Sequence, residues 1–344
     1  MKIGNFNLND NIFIIAEMSA NHGKNIKIAL DTIYAAKESG ANAIKIQTYT
    51  PDTITINCSN EYFKLKQGTI WDGKNLYELY KEAYTPWEWH DELKKYADSI
   101  GIILFSTPFD NSAVDLLESI NVLAYKIASF EITDIPLIKY VASKQKPIII
   151  STGIANLDDI QNAVDTCRGV GNNNIALLKC TSAYPAKIED ANLKTIQNLK
   201  ETFNVVSGLS DHTLGITVPI VSVAMGARII EKHFILDKSI GGPDSSFSLN
   251  KDEFKLMVNS VREAEKSVGE IDYKLTEQKL KSRELSRSLF VVKDIKKGEI
   301  FTKDNIRSIR PGYGLPPKYY DEIIGKRAAN DINRGLPLKW SDII

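Results

Sequence analysis

The chain is predicted to fold as an α/β protein, a (β/α)8 TIM barrel followed by a small β-rich module. Three observations carry that reading. Apolar runs of strand length recur eight times over the first 235 residues, separated by segments of helical periodicity. The runner-up, an open doubly wound sheet, usually announces a Gly-rich turn after its first strand. Here that turn reads Glu17-Met18-Ser19-Ala20-Asn21-His22-Gly23 and lacks the pattern. Finally, the texture changes after Val268, and 344 residues suit one barrel of about 250 plus a small module.

In order, strands are predicted at Ile12–Glu17, Ala43–Gln47, Ile102–Ser106, Ala124–Ile127, Pro147–Ser151, Ile175–Lys179, Val205–Gly208 and Ile229–His233. Each is rich in Ile, Val, Leu or Ala and bounded by polar residues or Gly, as a strand covered on both faces should be. Between them, Ile26–Ser39 is apolar at 26, 28, 29, 30, 33 and 36 and stops at Gly40. Asn111–Ser119 carries Val114, Leu116 and Leu117. Asn156–Cys167 opens with a polar cap and two acids, which suit the positive end of a helix. Phe254–Val268 is a last amphipathic helix. The stretch from Tyr49 to Tyr84, with Gln67-Gly68-Thr69-Ile70-Trp71-Asp72-Gly73 inside it, is long for a βα connection and is expected to form a lid or a side of the site. The domains are therefore 1–268, a partly helical linker 269–282, and a β-rich module 283–344 that would be marginal alone.

Composition narrows the function. Hydrophobic residues are 43% and charged residues 25%, ordinary for a globular chain. Lys+Arg and Asp+Glu both number 43, so the net charge is zero and nucleic acid is a poor partner. From Arg283 onward thirteen basic residues face eight acidic ones, a balance of +5 set against −5 in the rest. No run of about 18 apolar residues suggests a membrane span, and no signal-peptide pattern opens the sequence. Three widely spaced cysteines, Cys58, Cys167 and Cys180, form no C-x-x-C and suit a reduced cytoplasmic protein.

A barrel places its active site at the C-terminal strand ends. There the sequence delivers Glu17, Asn21 and His22; Lys45 and Gln47; Ser106 and Thr107; and Lys126, Ser129 and Glu131. The later strands add Ser151 and Thr152; Lys179, Ser182 and Tyr184; Ser210 and His212; and Glu231 and His233. Lys45, Lys126 and Lys179 with nearby hydroxyls suit a phosphate or carboxylate dianion, although paired structural charges would also explain them. His212 and His233 end adjacent strands, so both imidazoles are candidates to meet one divalent cation such as Mn²⁺, Mg²⁺ or Zn²⁺. Glu17 and Glu131 are candidate acids, bases or water-positioning groups. His22 is left between lining the site and fixing its loop, and His90 is expected to be structural.

These residues resemble the sialic acid synthase family, phosphoenolpyruvate-dependent nonulosonate synthases with a C-terminal antifreeze-like (SAF) domain. The matching stretches are Ile15-Ala16-Glu17 with Ser19-Ala20-Asn21-His22, Ile44-Lys45-Ile46-Gln47-Thr48, Ser106-Thr107-Pro108-Phe109 and Tyr125-Lys126-Ile127-Ala128-Ser129. Ser151-Thr152-Gly153, Gly208-Leu209-Ser210-Asp211-His212, Glu231-Lys232-His233-Phe234 and Gly242-Pro243-Asp244 continue the match, and the tail from Lys293 to Gly312 resembles the SAF domain. Gln47-Thr48-Tyr49-Thr50-Pro51-Asp52 and the Trp71–His90 segment resemble the pseudaminate-forming branch. Ser182 and Phe130-Glu131 depart from the N-acetylneuraminate branch.

The resemblance implies condensation of phosphoenolpyruvate with an open-chain acetamido sugar, helped by a divalent metal on His212 and His233, with Mn²⁺ favoured over Mg²⁺ or Co²⁺. It implies Glu17 and Glu131 as catalytic residues. Lys45, Gln47, Thr107, Lys126, Ser129, Ser182, Tyr184, Ser210, Asp244 and Arg310 are the implied substrate contacts. It also implies a homodimer, domain-swapped so that Arg310 reaches a partner's barrel. N-acetylneuraminate or legionaminate synthesis by the same chemistry is the nearest alternative. A metal-dependent aldolase and a carbohydrate- or ice-binding role for the tail are the others.

Overall fold

The computed structural model describes residues 1–66 and 71–344; residues 67–70 of the expected lid lie outside them. Among the described residues, eight parallel strands close into a barrel. They are β1 Phe13–Glu17, β2 Ala43–Thr48, β3 Ile103–Pro108, β4 Tyr125–Ile127, β5 Ile148–Ser151, β6 Ile175–Cys180, β7 Val206–Asp211 and β8 Ile229–His233. Every predicted strand is present, and β2, β3, β6 and β7 run one to three residues further at their C-terminal ends. Apart from Leu209, which follows Gly208, those extra residues are polar or small, so apolar runs could not mark them.

Closure comes from β8 pairing with both β7 and β1. The register sets His233 opposite Glu17, Glu17 opposite Lys45, Gln47 opposite Thr107, and Cys180 opposite Ser210. Consecutive strand residues face opposite sides, so alternate residues share a face. On β8 this separates Glu231 and His233 from Lys232, whose ammonium lies 2.5 Å from Asp211 in a fully buried pair.

The helices form because their local chemistry agrees with their buried faces. Ile26–Glu38 is capped by the Asn25 side chain, which accepts from Lys27 N, and it buries Ala29, Ile33 and Ala36. Gly40 continues past its end at a φ of +88°, a left-handed conformation natural to glycine. Leu157–Gly169 and Lys251–Val268 both open with Asn capping boxes, closed by Asp159 and Glu253. Burying one Ile or Leu from such a face is worth about 1.5–3 kcal/mol. Ile33, Leu93, Ile138, Val164 and Met257 belong to two core clusters formed by helices packed on the barrel.

The chain divides into two compact units, Met1–Gly269 and Glu270–Ile344. The polar stretch at the start of the second unit contains a short helix, Glu277–Arg283. The second unit pairs β9 (Ser288–Val291) antiparallel with β10 (Ile306–Ile309) over its own core, which includes Leu289, Val291, Phe301, Ile306 and Leu338.

Candidate active site

Four buried charges occupy the C-terminal mouth of the barrel. Lys45 Nζ lies 2.7 Å from Glu17 and 3.4 Å from Glu231, and Lys126 Nζ lies 3.5 Å from Glu231. None of these four residues is more than 5% exposed. Two ammoniums and two carboxylates balance, which makes their burial tolerable. The two carboxylates are not equivalent. Burial would raise Glu231, but Lys126 and Lys45 together outweigh it and hold its carboxyl below the usual range. For Glu17 burial wins over Lys45, and the carboxyl is pushed up to about 7. Glu17 is therefore the carboxylate of the set poised to exchange a proton near neutral pH.

Hydroxyls and amides surround the lysines. Lys45 donates to Thr107 Oγ1 at 3.2 Å and Lys126 to Ser151 Oγ at 2.7 Å. Gln47 donates to Glu17 Oε1 at 3.3 Å, and Ser210 donates to Glu231 Oε1 at 3.1 Å. Ser129 and Ser182 face each other at 2.5 Å. Gly153 makes room for that pair, because a Cβ there would stand 2.1 Å from Ser182 Oγ and 3.2 Å from Ser129 Oγ. Burial holds Lys126 below the ordinary lysine range and pushes the Glu131 carboxyl up to about 7.

On the far side, the His212 and His233 ring centroids are 5.3 Å apart. His212 Nδ1 lies 2.8 Å from Thr181 O, so Nδ1 carries a proton and Nε2 is the atom left to meet a ligand. His233 Nδ1 is buried without a hydrogen bond, with Asp244 Oδ2 at 3.9 Å. Burial, reinforced by His212, keeps His233 neutral. No set of three His, Cys, Asp or Glu side chains arranged for a metal occurs among the described residues. The donor set nonetheless fits a divalent ion held by two imidazoles: His233 is neutral with an orphaned nitrogen, and on His212, where Cys180 and the Thr181 carbonyl favour positive charge against burial, a cation would take the place of the second proton. Tyr184 covers the pair, its ring 4.3 Å from His212, and it also meets Phe247 and Trp71 at 5.5 Å. Asp244 accepts weakly from Ala20 N at 3.5 Å.

Buried polar atoms without a hydrogen bond concentrate here: Glu17 Oε2, Glu131 Oε2, Glu231 Oε2 and His233 Nδ1. Glu17 Oε2 has the Lys45 charge beside it but no well-aligned bond. Native interiors seldom leave such atoms unpaired unless a ligand or water completes them.

The structure corrects one expectation, Lys179, and places several other residues. Lys179 does not join the other two lysines; it donates to the Cys180 carbonyl at 2.7 Å and to Thr181 at 3.3 Å. Cys180 faces Ser210 on β7, and alternation turns its neighbour Lys179 the other way. His22 fixes its loop: Nδ1 accepts from Lys24 N at 3.1 Å, and Thr85 Oγ1 lies 3.3 Å from Nε2. Tyr49 is buried between Tyr80 and Phe109, whereas Phe130 is 57% exposed. His90 is structural, bonded to Thr48 at 2.8 Å. Arg310 lies in the second unit and is exposed.

Glu231 and Cys180 emerge as more central than the motifs alone suggested. Period-two alternation back from His233 was the signal for Glu231. Cys180 Sγ lies 3.9 Å from His212 Nδ1; burial opposes its ionisation, but His212 and Lys126 outweigh it and draw the thiol down.

The profile of the NeuB family matches residues 32–273, and that of the SAF domain matches residues 286–344. A pseudaminic acid synthase from Campylobacter jejuni is 51% identical, the match covering 99% of both chains. An N,N'-diacetyllegionaminic acid synthase from Legionella pneumophila is 40% identical over 96% of this chain and 94% of its own. Among solved structures, a spore coat polysaccharide biosynthesis protein from Bacillus subtilis superposes with a TM-score of 0.68 at 35% identity, covering 100% of this chain and 99% of its own.

Proposed function

The chain belongs to the NeuB family and ends in a SAF domain, and on that basis we propose that it condenses phosphoenolpyruvate with 2,4-diacetamido-2,4,6-trideoxy-L-altrose and water, giving pseudaminic acid and phosphate. The observation that carries the choice of sugar is the higher identity to the pseudaminic than to the legionaminic enzyme. The chemistry is supported independently by the mouth of the barrel.

Lys126, Ser151 and the Ser129–Ser182 pair bind the phosphate and carboxylate of phosphoenolpyruvate. Lys45 and Thr107 complete that cradle. His212 and His233 would hold a divalent ion, Mn²⁺ before Mg²⁺ or Co²⁺, which when bound supplies Lewis-acid polarisation of the sugar aldehyde. The enol carbon of phosphoenolpyruvate then attacks the aldehyde carbon. One carbon–carbon bond forms, the carbonyl oxygen takes a proton from Glu131, whose carboxyl burial pushes up to about 7, and positive charge develops at the carbon bearing the phosphate ester. Glu17 takes a proton from the water that adds there, and Glu231 stabilises the cation. The tetrahedral intermediate breaks its bond to the ester oxygen, its new hydroxyl gives its proton to the departing phosphate, and a 2-keto acid remains. Asp244 and Glu131 contact the sugar, and Tyr184 shields it from water.

The reaction is cytoplasmic in this reading, and no helix among the described residues is long and apolar enough to cross a membrane. Phosphate release with the altrose sugar should exceed that with N-acetylmannosamine by a factor on the order of a hundred in kcat/KM, because polar groups placed for the second acetamide stay unpaired without it. Equal turnover of both sugars would overturn the sugar assignment and leave the synthase reading standing. Exhaustive chelation should abolish turnover, with Mn²⁺ restoring it, and His233→Ala should weaken Mn²⁺ binding in a direct titration. Full activity after chelation would remove the metal.

A further inference from the structure

We propose that the opposite, N-terminal end of the barrel carries a second binding site, one for a small polyhydroxy anion bearing a carboxylate or phosphate. A cavity of about 500 Å³ opens there, within the usual range for small-molecule sites. Ser207 at the start of β7, Arg228 immediately before β8 and Lys200 on the helix Lys194–Phe203 line it, together with Asn173, Asn174 and Asn204. This end of a barrel ordinarily serves stability alone, so the cavity needs a reason in its own chemistry.

Two observations supply it. Ser207 is 1% exposed, yet its hydroxyl has no hydrogen-bond partner. Arg228 donates through Nε to Leu8 O at 2.6 Å, which fixes the guanidinium, while its buried Nη2 has no partner either. A buried arginine nitrogen and a buried hydroxyl are costly to leave unpaired, and the two residues that carry them line one cavity. The charge of the lining agrees: Lys200 and Arg228 are cationic, and no carboxylate lines the cavity among the described residues. The nearby helix end, whose carbonyls would repel an anion, is covered by Arg168 Nη2 on Phe203 O at 2.6 Å. Guanidinium, ammonium and hydroxyl donors match an oxyanion, and three asparagine amides match hydroxyls or an acetamide. The site is distinct from the barrel mouth, because its residues stand at the opposite ends of the same strands.

The test is calorimetric titration of the full chain with two probes, inorganic phosphate and N-acetylneuraminic acid, on wild type, Lys200→Gln and Arg228→Gln. Lys200 is exposed, so its variant should fold normally. Wild type should show two binding events for at least one probe. Lys200→Gln should weaken one event about tenfold, the size expected for a lost charged hydrogen bond, and leave the other unchanged. Its kcat and its KM for phosphoenolpyruvate should stay within twofold of wild type. The probe that binds tighter at the Lys200-sensitive event identifies the anionic group preferred. Hydrogen exchange at 205–208 and 226–229 should slow when that probe is added, a readout that needs no variant. A single binding event in wild type with no protection of those segments would overturn the proposal, as would two events that Lys200→Gln leaves unchanged.

Discussion

At the scale of single residues, Glu17 and Glu231 share the lysines of the barrel mouth and are tuned in opposite directions. Glu231 sits between two ammoniums and stays ionised; Glu17 faces one at close range and is pushed up to about 7 by burial. A group that must accept a proton from water is active only as the carboxylate, so activity is present above its pKa and lost below it. Phosphate release should therefore fall as pH drops through about 7, and Glu17→Gln should lower kcat and remove that limb of the profile. A Glu17→Gln enzyme with wild-type kcat would take the residue out of the chemistry. The two lysines should also separate. Lys126 donates to Ser151 and lies at the edge of the ion set, so Lys126→Ala should mainly raise the KM for phosphoenolpyruvate. Lys45 touches Glu17 at 2.7 Å, so Lys45→Ala should depress kcat as well as raise KM. Steady-state kinetics on both variants decides this, and identical profiles would refute the distinction.

At the scale of elements, the alternation of β8 divides its labour. Glu231 and His233 face the reaction, and Lys232 between them turns outward onto Asp211, two residues along β7 from Leu209 and next to His212. That buried pair sets the orientation of both strand ends that carry the histidines. Lys232→Ala leaves the Asp211 charge buried and alone, which should cost about 3–5 kcal/mol in urea unfolding. It should also weaken Mn²⁺ binding although neither histidine is changed. Loss of stability with unaltered metal affinity would confine Lys232 to a structural role. The same alternation explains what was legible in the sequence. Apolar runs such as Ile148–Ile150 announced all eight strands because parallel strands are covered on both faces. Glu17, Lys45, Lys126, His212 and His233 were legible as the polar residues that end those runs. Lys179 also ends such a run, but it occupies the outer face, which the end of a run does not reveal. His22 was ambiguous because its partner, Thr85, is 63 positions away. The Ser129–Ser182 contact and the room left by Gly153 depend on three separate strands approaching closely, and no local pattern encodes that.

At the scale of the whole molecule, the open question is what the second unit does for the barrel. It has its own core and is basic, and Arg310 stands exposed on it immediately after β10. The family resemblance implies that two chains pair and that each Arg310 would serve the partner's barrel, where it would bind an oxygen common to acetamido sugars. Arg310→Ala should then lower turnover of the altrose sugar and of N-acetylmannosamine alike, without changing their ratio. The domain swap itself makes a sharper prediction. A chain carrying Glu17→Gln has a dead barrel but a working Arg310, and a chain carrying Arg310→Ala has the reverse. Co-expressed as randomly mixed dimers, half the pairs are mixed, and each mixed pair contains one barrel with its own Glu17 and the other chain's Arg310. Activity should return to roughly a quarter of wild type, from two variants that are each nearly inactive alone. If each chain supplied Arg310 to its own barrel, no pairing would assemble a complete site and the mixture would be no more active than its parts. Sedimentation of the wild type supplies the control, since a monomer at the assay concentration would rule out the swap before any kinetics are run.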